Sequence, residues 1–146
     1  MRYFVKGFTL VEITLSVAMI SMIVFMTLPM LLTFIVRNDL DIAKQTLVQD
    51  LWRAQALSQS ADGDTTWGVH VSVGSILVYK GASYGARDVS FDEETTIPSS
   101  VVPSGVTDVV FSKLTGLPQT TGSFVLTSNA NETRTITINQ KGMVDY

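Results

Sequence analysis

The 146-residue sequence contains no cysteine, so a disulfide framework, a thiol nucleophile and a cysteine-ligated zinc centre are all excluded. It contains one histidine, His70, which leaves no cluster of imidazoles to hold a metal. Abundant serine and aspartate around a lone histidine do not define a Ser-His-Asp triad, whose signature is geometry and not composition. No glycine-rich stretch has the strand-helix setting of a phosphate-binding loop. Asp62 and Asp64 flank Gly63 but lack the ligand number and spacing of a calcium loop, and read as a solvated turn. Basic residues are outnumbered, 10 against 13 acidic, and the net charge of -3 works against the whole surface attracting nucleic acid. The most informative shortage is positional, because no charged residue occurs from Ile13 through Val36.

That uncharged run would rise about 36 Å as a helix, more than the ~30 Å of a bilayer's hydrocarbon layer. Arg2 and Lys6 precede it, whereas Arg37 is followed closely by Asp39 and Asp41. The cationic bias favours a cytoplasmic N-terminus and an exported remainder. A cleaved secretory signal has a shorter apolar section, of about 7–15 residues, ending at a small-residue site. Here the run is longer and passes directly into a helical pattern, so a retained anchor is expected.

Glu12 stands out in this setting. It is a lone carboxylate among Phe8, Thr9, Leu10, Val11 and Ile13, at the mouth of an apolar span where it must reach the interface or find a partner. The segment Lys6-Gly7-Phe8-Thr9-Leu10-Val11-Glu12, with the uncharged run behind it, resembles the cleavage and methylation segment of type IV prepilins and pseudopilins. The resemblance implies that a prepilin peptidase cuts after Gly7, that the new N-terminal Phe8 is methylated on its amine, and that Glu12 neutralises the amine of a neighbouring subunit. The physical sense is independent of the family: an ammonium and a carboxylate entering an apolar core cost less together than apart. Pro29 lies inside the run, where it removes a helical hydrogen bond and should kink or loosen the helix. Its separation from Phe8 matches a proline often found in pilin helices, which implies a helix able to lengthen during assembly.

Beyond the run, Leu40, Ala43, Leu47, Leu51, Ala54 and Leu57 recur at three and four residues. Asp41, Lys44, Gln45, Gln49, Asp50 and Arg53 are assigned to the remaining, solvated surface. A nearly continuous helix from about Leu10 to Ser60 is expected, ended by Ala61-Asp62-Gly63-Asp64. Then the period changes to two. In Trp67 to Val73 the Trp and valines share one face, while Gly68, His70 and Ser72 share the other, which makes His70 a surface residue. Further strands are predicted at Ser75 to Lys80, Asp88 to Phe91, Val106 to Lys113, Ser123 to Thr127, Thr133 to Asn139 and Met143 to Tyr146. The fold class is α+β, a long N-terminal transmembrane and amphipathic helix packed against an antiparallel β-rich head. Its predicted divisions are a leader (1–7), a transmembrane and assembly helix (8–36), an exported amphipathic helix (37–61) and the head (62–146).

Three head segments, Leu47 to Ala56, Phe111 to Pro118 and Ile136 to Val144, are similar to signatures of the GspH/FimT group of minor pilins and pseudopilins. One departure weakens the subgroup resemblance and leaves the N-terminal one untouched: the basic residue usual in the helix's last alanine-rich section is not cleanly reproduced, since Trp52-Arg53-Ala54-Gln55-Ala56 has Arg53 before Ala54 and glutamine after it. The resemblance implies a noncatalytic filament subunit without a cofactor. Its implied partners are prepilin peptidase, other pilin or pseudopilin subunits, a membrane assembly platform and membrane lipid. It also implies a single-pass bacterial cell membrane location before assembly and a periplasmic or cell-surface filament after it. DNA binding stays possible but unsupported: Lys80, Arg87, Lys113, Arg134 and Lys141 are dispersed in the sequence and would have to converge in the fold to form a local site. The competing reading is a membrane-tethered β-rich ligand-binding module that does not polymerise.

Overall fold

The computed structural model describes residues 7–146, apart from the side chains of Leu28, Pro29, Met30 and Leu32. The cationic flank, Arg2 and Lys6, therefore lies outside the described residues. Helix α1 spans Leu10–Gln59, close to the predicted bounds and across Pro29, whose side chain is among those not described. The chain divides into two compact units, one ending at Ile35 and the other running from Val36 to Tyr146.

In the first unit α1 is apolar all round. The 18 residues Leu10–Thr27 have a mean hydropathy of 2.1 and none is buried, so this helix is long and apolar enough to anchor the chain in a membrane. The hydroxyls within it are satisfied locally. Thr14 donates to the Val11 carbonyl, Ser16 to Glu12, Ser21 to Val17, and Thr27 to both Ile23 and Val24, at 2.7–3.1 Å. Such back-bonding lets a polar side chain sit in hydrocarbon without an orphaned donor.

In the second unit the C-terminal part of α1 packs on two four-stranded antiparallel sheets. The first joins β1 (Trp67–Ser72), β2 (Ser75–Lys80), β3 (Asp88–Thr96) and β5 (Asp108–Phe111) in the order β3-β2-β1-β5. The second joins β4 (Val101–Gly105), β6 (Gly122–Ser128), β7 (Thr133–Ile138) and β8 (Val144–Asp145) in the order β4-β6-β7-β8. Register explains why one face is core. Val69 pairs with Val78 and Val109, and Val71 with Ile76, so these side chains share the side toward the helix. They form one core with Leu40, Ala43, Leu47, Leu51 and Ala54 of α1 and with Phe124, Leu126, Ile136 and Ile138 of the second sheet.

The structure corrects four expectations. Val73 is not on the core face, because the chain has already entered the β1-β2 turn there, and it is 57% exposed. Strand β4 is not among the predicted strands; it carries Pro103 and Gly105, which it tolerates because an edge strand needs only one hydrogen-bonded side, here toward β6. β3 continues five residues beyond Phe91 through polar positions that are mostly exposed, where no alternation marks a strand. Asp50 is not on the solvated surface but buried, as described below.

Candidate functional site

The first described residues, 7–9, are not helical, and among the described residues no atom outside Gly7's chain neighbours lies near the place where a Cβ on the exposed Gly7 would stand. Phe8 follows, 80% exposed. Thr9 then caps the helix. Its Oγ1 accepts from the Glu12 amide at 3.3 Å, and its carbonyl accepts from Glu12 and Ile13 at 3.1 and 3.2 Å. Thr9 and Glu12 thus have the threonine-to-glutamate spacing of a capping box, with an acidic side chain in the first turn where the helix dipole favours it. The sequence carries the signal for that local role in the Thr9-to-Glu12 spacing. It gives Glu12 one structural function and leaves its exposed carboxylate free for another.

Within the second unit, polar side chains fix the helix to the sheets. Arg37 donates to both oxygens of Glu132 at 3.0 and 3.2 Å, Arg134 to Asp41 at 2.9 Å, and Ser100 to Asp39 at 2.9 Å. At the other end Ser58 is fully buried. Its hydroxyl accepts from the Trp67 amide at 3.0 Å and donates to the Phe111 carbonyl at 3.1 Å, while its carbonyl accepts from Leu114. Gln55 supplies the third tie. Its amide nitrogen donates to the carbonyls of Gly116 and Gly142 at 3.1 and 3.2 Å, and both glycines have positive φ, 63° and 75°. A side chain at 142 would strike the Gln55 amide, so the turn comes this close only with glycine there. The three segments singled out in the head therefore meet at one side chain, with Gln55 as the donor.

His70 is also different from its expected place. Its side chain is only 23% exposed, with Tyr84 stacked on its ring at 3.8 Å between centroids and Asp108 at 3.7 Å from Nδ1. The loop between β2 and β3 folds over the outer face of the sheet, which strand alternation alone does not predict. Asp108 instead accepts the Tyr79 hydroxyl at 2.7 Å, and burial together with that bond pushes the Tyr79 phenol well above its ordinary range.

Among the described residues no group of three His, Asp or Glu side chains is placed to hold a metal ion. Of the dispersed basic residues, Arg87 pairs with Asp92 at 2.9 Å, Arg134 with Asp41, and Lys113 with Asp64, while Lys80 lies over the Phe91 ring. Each of these four side chains thus has a partner within the head. A depression of about 400 Å³ is lined by one turn, Asn139, Gln140, Lys141 and Met143, with no acid-base pair in it.

No protein-family model and no curated protein matches the chain. A solved structure does, that of the minor pseudopilin EpsH from the type 2 secretion system of Vibrio cholerae. The TM-score is 0.54 at 12% sequence identity, covering 73% of this chain and 94% of that one. The fold is pilin- or pseudopilin-like, with an N-terminal helix and a β-sheet head.

Proposed function

We propose that the chain is a noncatalytic structural subunit, a minor pilin or pseudopilin that enters a type IV pilus or a type II secretion-like filament. The observation that carries this reading is the first unit. Its apolar side chains are unburied on every side from Leu10 to Thr27, and its helix opens on a Thr9 cap that leaves the Glu12 carboxylate exposed. A bilayer can cover such a surface, and so can the equivalent helices of other subunits. The pseudopilin-like head supports the same reading.

In this account a prepilin peptidase cuts after Gly7, which is accessible in a non-helical segment, and Phe8 becomes the methylated N-terminus. Glu12 then meets that ammonium on a neighbouring subunit. Pro29 gives the helix a place to lengthen as it leaves the bilayer. The partners are prepilin peptidase, other pilin or pseudopilin subunits, an assembly platform in the membrane and lipid. The head is exported and the anchor crosses the membrane once.

Glu12→Gln tests the assembly contact. It keeps volume and polarity but removes the charge, and breaking a sequestered ion pair costs about 3–5 kcal/mol at most. Copy number in purified filaments should fall severalfold or more, while membrane abundance and protease resistance of the head stay at wild-type levels. Thr9→Ala is the control, because it removes the cap but keeps the carboxylate and should assemble nearly normally. Normal incorporation of Glu12→Gln, or equal loss in both variants, would remove the charge pair from the account.

A further inference from the structure

Asp50 lies three residues after Leu47 and four before Ala54, in register with the side of α1 that faces the sheets, and it is only 9% exposed. Its Oδ2 is buried without a hydrogen-bond partner. The Thr95 side chain faces the carboxylate from β3, and the charged groups acting on it are Arg53 from its own helix and Glu93 from β3. Arg53 grips Glu93 with two parallel bonds, Nε to Oε2 at 2.5 Å and Nη2 to Oε1 at 2.7 Å. β3 is an edge strand, bonded only to β2, and the pairing slips between Val78 and Lys80. Its residues 93–96 are exposed. The Arg53-Glu93 pair and the Asp50-Thr95 approach are thus polar ties between the helix and this stretch.

We propose that Asp50 is a proton-operated latch which, through Arg53, holds or releases the C-terminal half of edge strand β3. With a proton on Asp50 the buried carboxyl is neutral, and Arg53 stays committed to Glu93. When the proton leaves, the new carboxylate has an unsatisfied oxygen and draws on Arg53, which is three positions along the same helix and so on a neighbouring face. Arg53 is then shared, the tie to Glu93 weakens, and residues 93–96 open more often. Burial, the largest cause, with a smaller push from Glu93, raises the Asp50 pKa to about 6 against the pull of Thr95 and Arg53, which sets where the latch turns. The device is independent of filament assembly and needs only the folded head.

The test is amide hydrogen exchange of the full-length chain in detergent micelles between about pH 5 and pH 7.5, corrected for intrinsic rates, with β1 amides as the internal reference. Protection at residues 93–96 relative to β1 should fall about tenfold or more across this range in the wild type. Asp50→Asn should stay protected at both ends, and Arg53→Gln should be poorly protected at both. A wild-type ratio that does not change with pH, or a pH dependence that survives in Asp50→Asn, would overturn the latch. Should Asp50→Asn fail to fold, the carboxyl carbon shift of Asp50 in the wild type decides: its midpoint must coincide with that of the 93–96 amides, and separate midpoints would reject the proposal.

Discussion

The two units of this chain solve the same problem in opposite ways. In the head, apolar side chains from α1 and both sheets converge until Leu47, Leu51, Val69, Phe111 and Phe124 are sealed from solvent. In the first unit, Ile20, Ile23, Phe25 and Met26 point outward at 61–80% exposure, and polar groups are satisfied on their own backbone. The head is completed by its own residues, whereas the first unit is completed only by what surrounds it. Apolar area of that extent, each square ångström worth about 25 cal/mol once covered, is the physical reason to look for lipid and then for neighbouring subunits.

Substitution should separate the two regions sharply. Leu51→Ala opens a cavity in a sealed core and should destabilise the head by about 2–5 kcal/mol, seen as an earlier denaturant transition of Trp67 fluorescence. Ile20→Ala should leave that transition in place, because it removes no side chain from the core of the head. A head that melts equally early in both variants would break the distinction.

Ser58→Ala comes next. It leaves the Trp67 amide and the Phe111 carbonyl without their buried partner, at a cost of about 1–3 kcal/mol by the same measurement. Thr27→Ala removes a hydroxyl of similar size from the first unit and should have no effect on the head.

Asp50 gives a smaller effect of opposite sign. Its folded pKa, about 6, lies above the ordinary 3.8, so the folded state binds the proton more tightly. The resulting stability is fully present below about 3.8 and is lost as the pH rises through about 6. Asp50→Asn should therefore be more stable than wild type at pH 7.5, by about 1–2 kcal/mol, against a ceiling of about 3 kcal/mol for a shift of this size. The advantage should shrink by pH 5. Parallel denaturant curves at the two pH values check it, and an advantage that does not change with pH would contradict the cause assigned to the shift.

The same contrast shows what could be read from the residues. The anchor and the apolar stripe were legible because a charge-free run and a 3.6-residue period depend on no distant partner. Asp50 and Ser58 were hidden by their chemistry, although their spacing carried the signal: 47, 50 or 51, 54 and 58 lie on one side of a helix. A polar residue in an apolar register belongs to the buried side of the helix whatever its chemistry. β4 and the far half of β3 were invisible for another reason. Edge strands tolerate proline, glycine and charge, so the usual marks of a strand are absent from Val101–Gly105 and from residues 92–96. Glu12 and Gly7 were singled out from the sequence alone, but the Thr9 cap appeared only when the first turn was seen.

The most direct test of the central claim, that the first unit is built to be processed and packed among like subunits, is intact-mass and N-terminal peptide analysis of the chain recovered from sheared, purified filaments. The account predicts a population lacking residues 1–7 and carrying a methyl group on the Phe8 amine. A mature population that retains Arg2 to Gly7 and is found only in membranes would contradict it, and would leave a tethered head that does not polymerise.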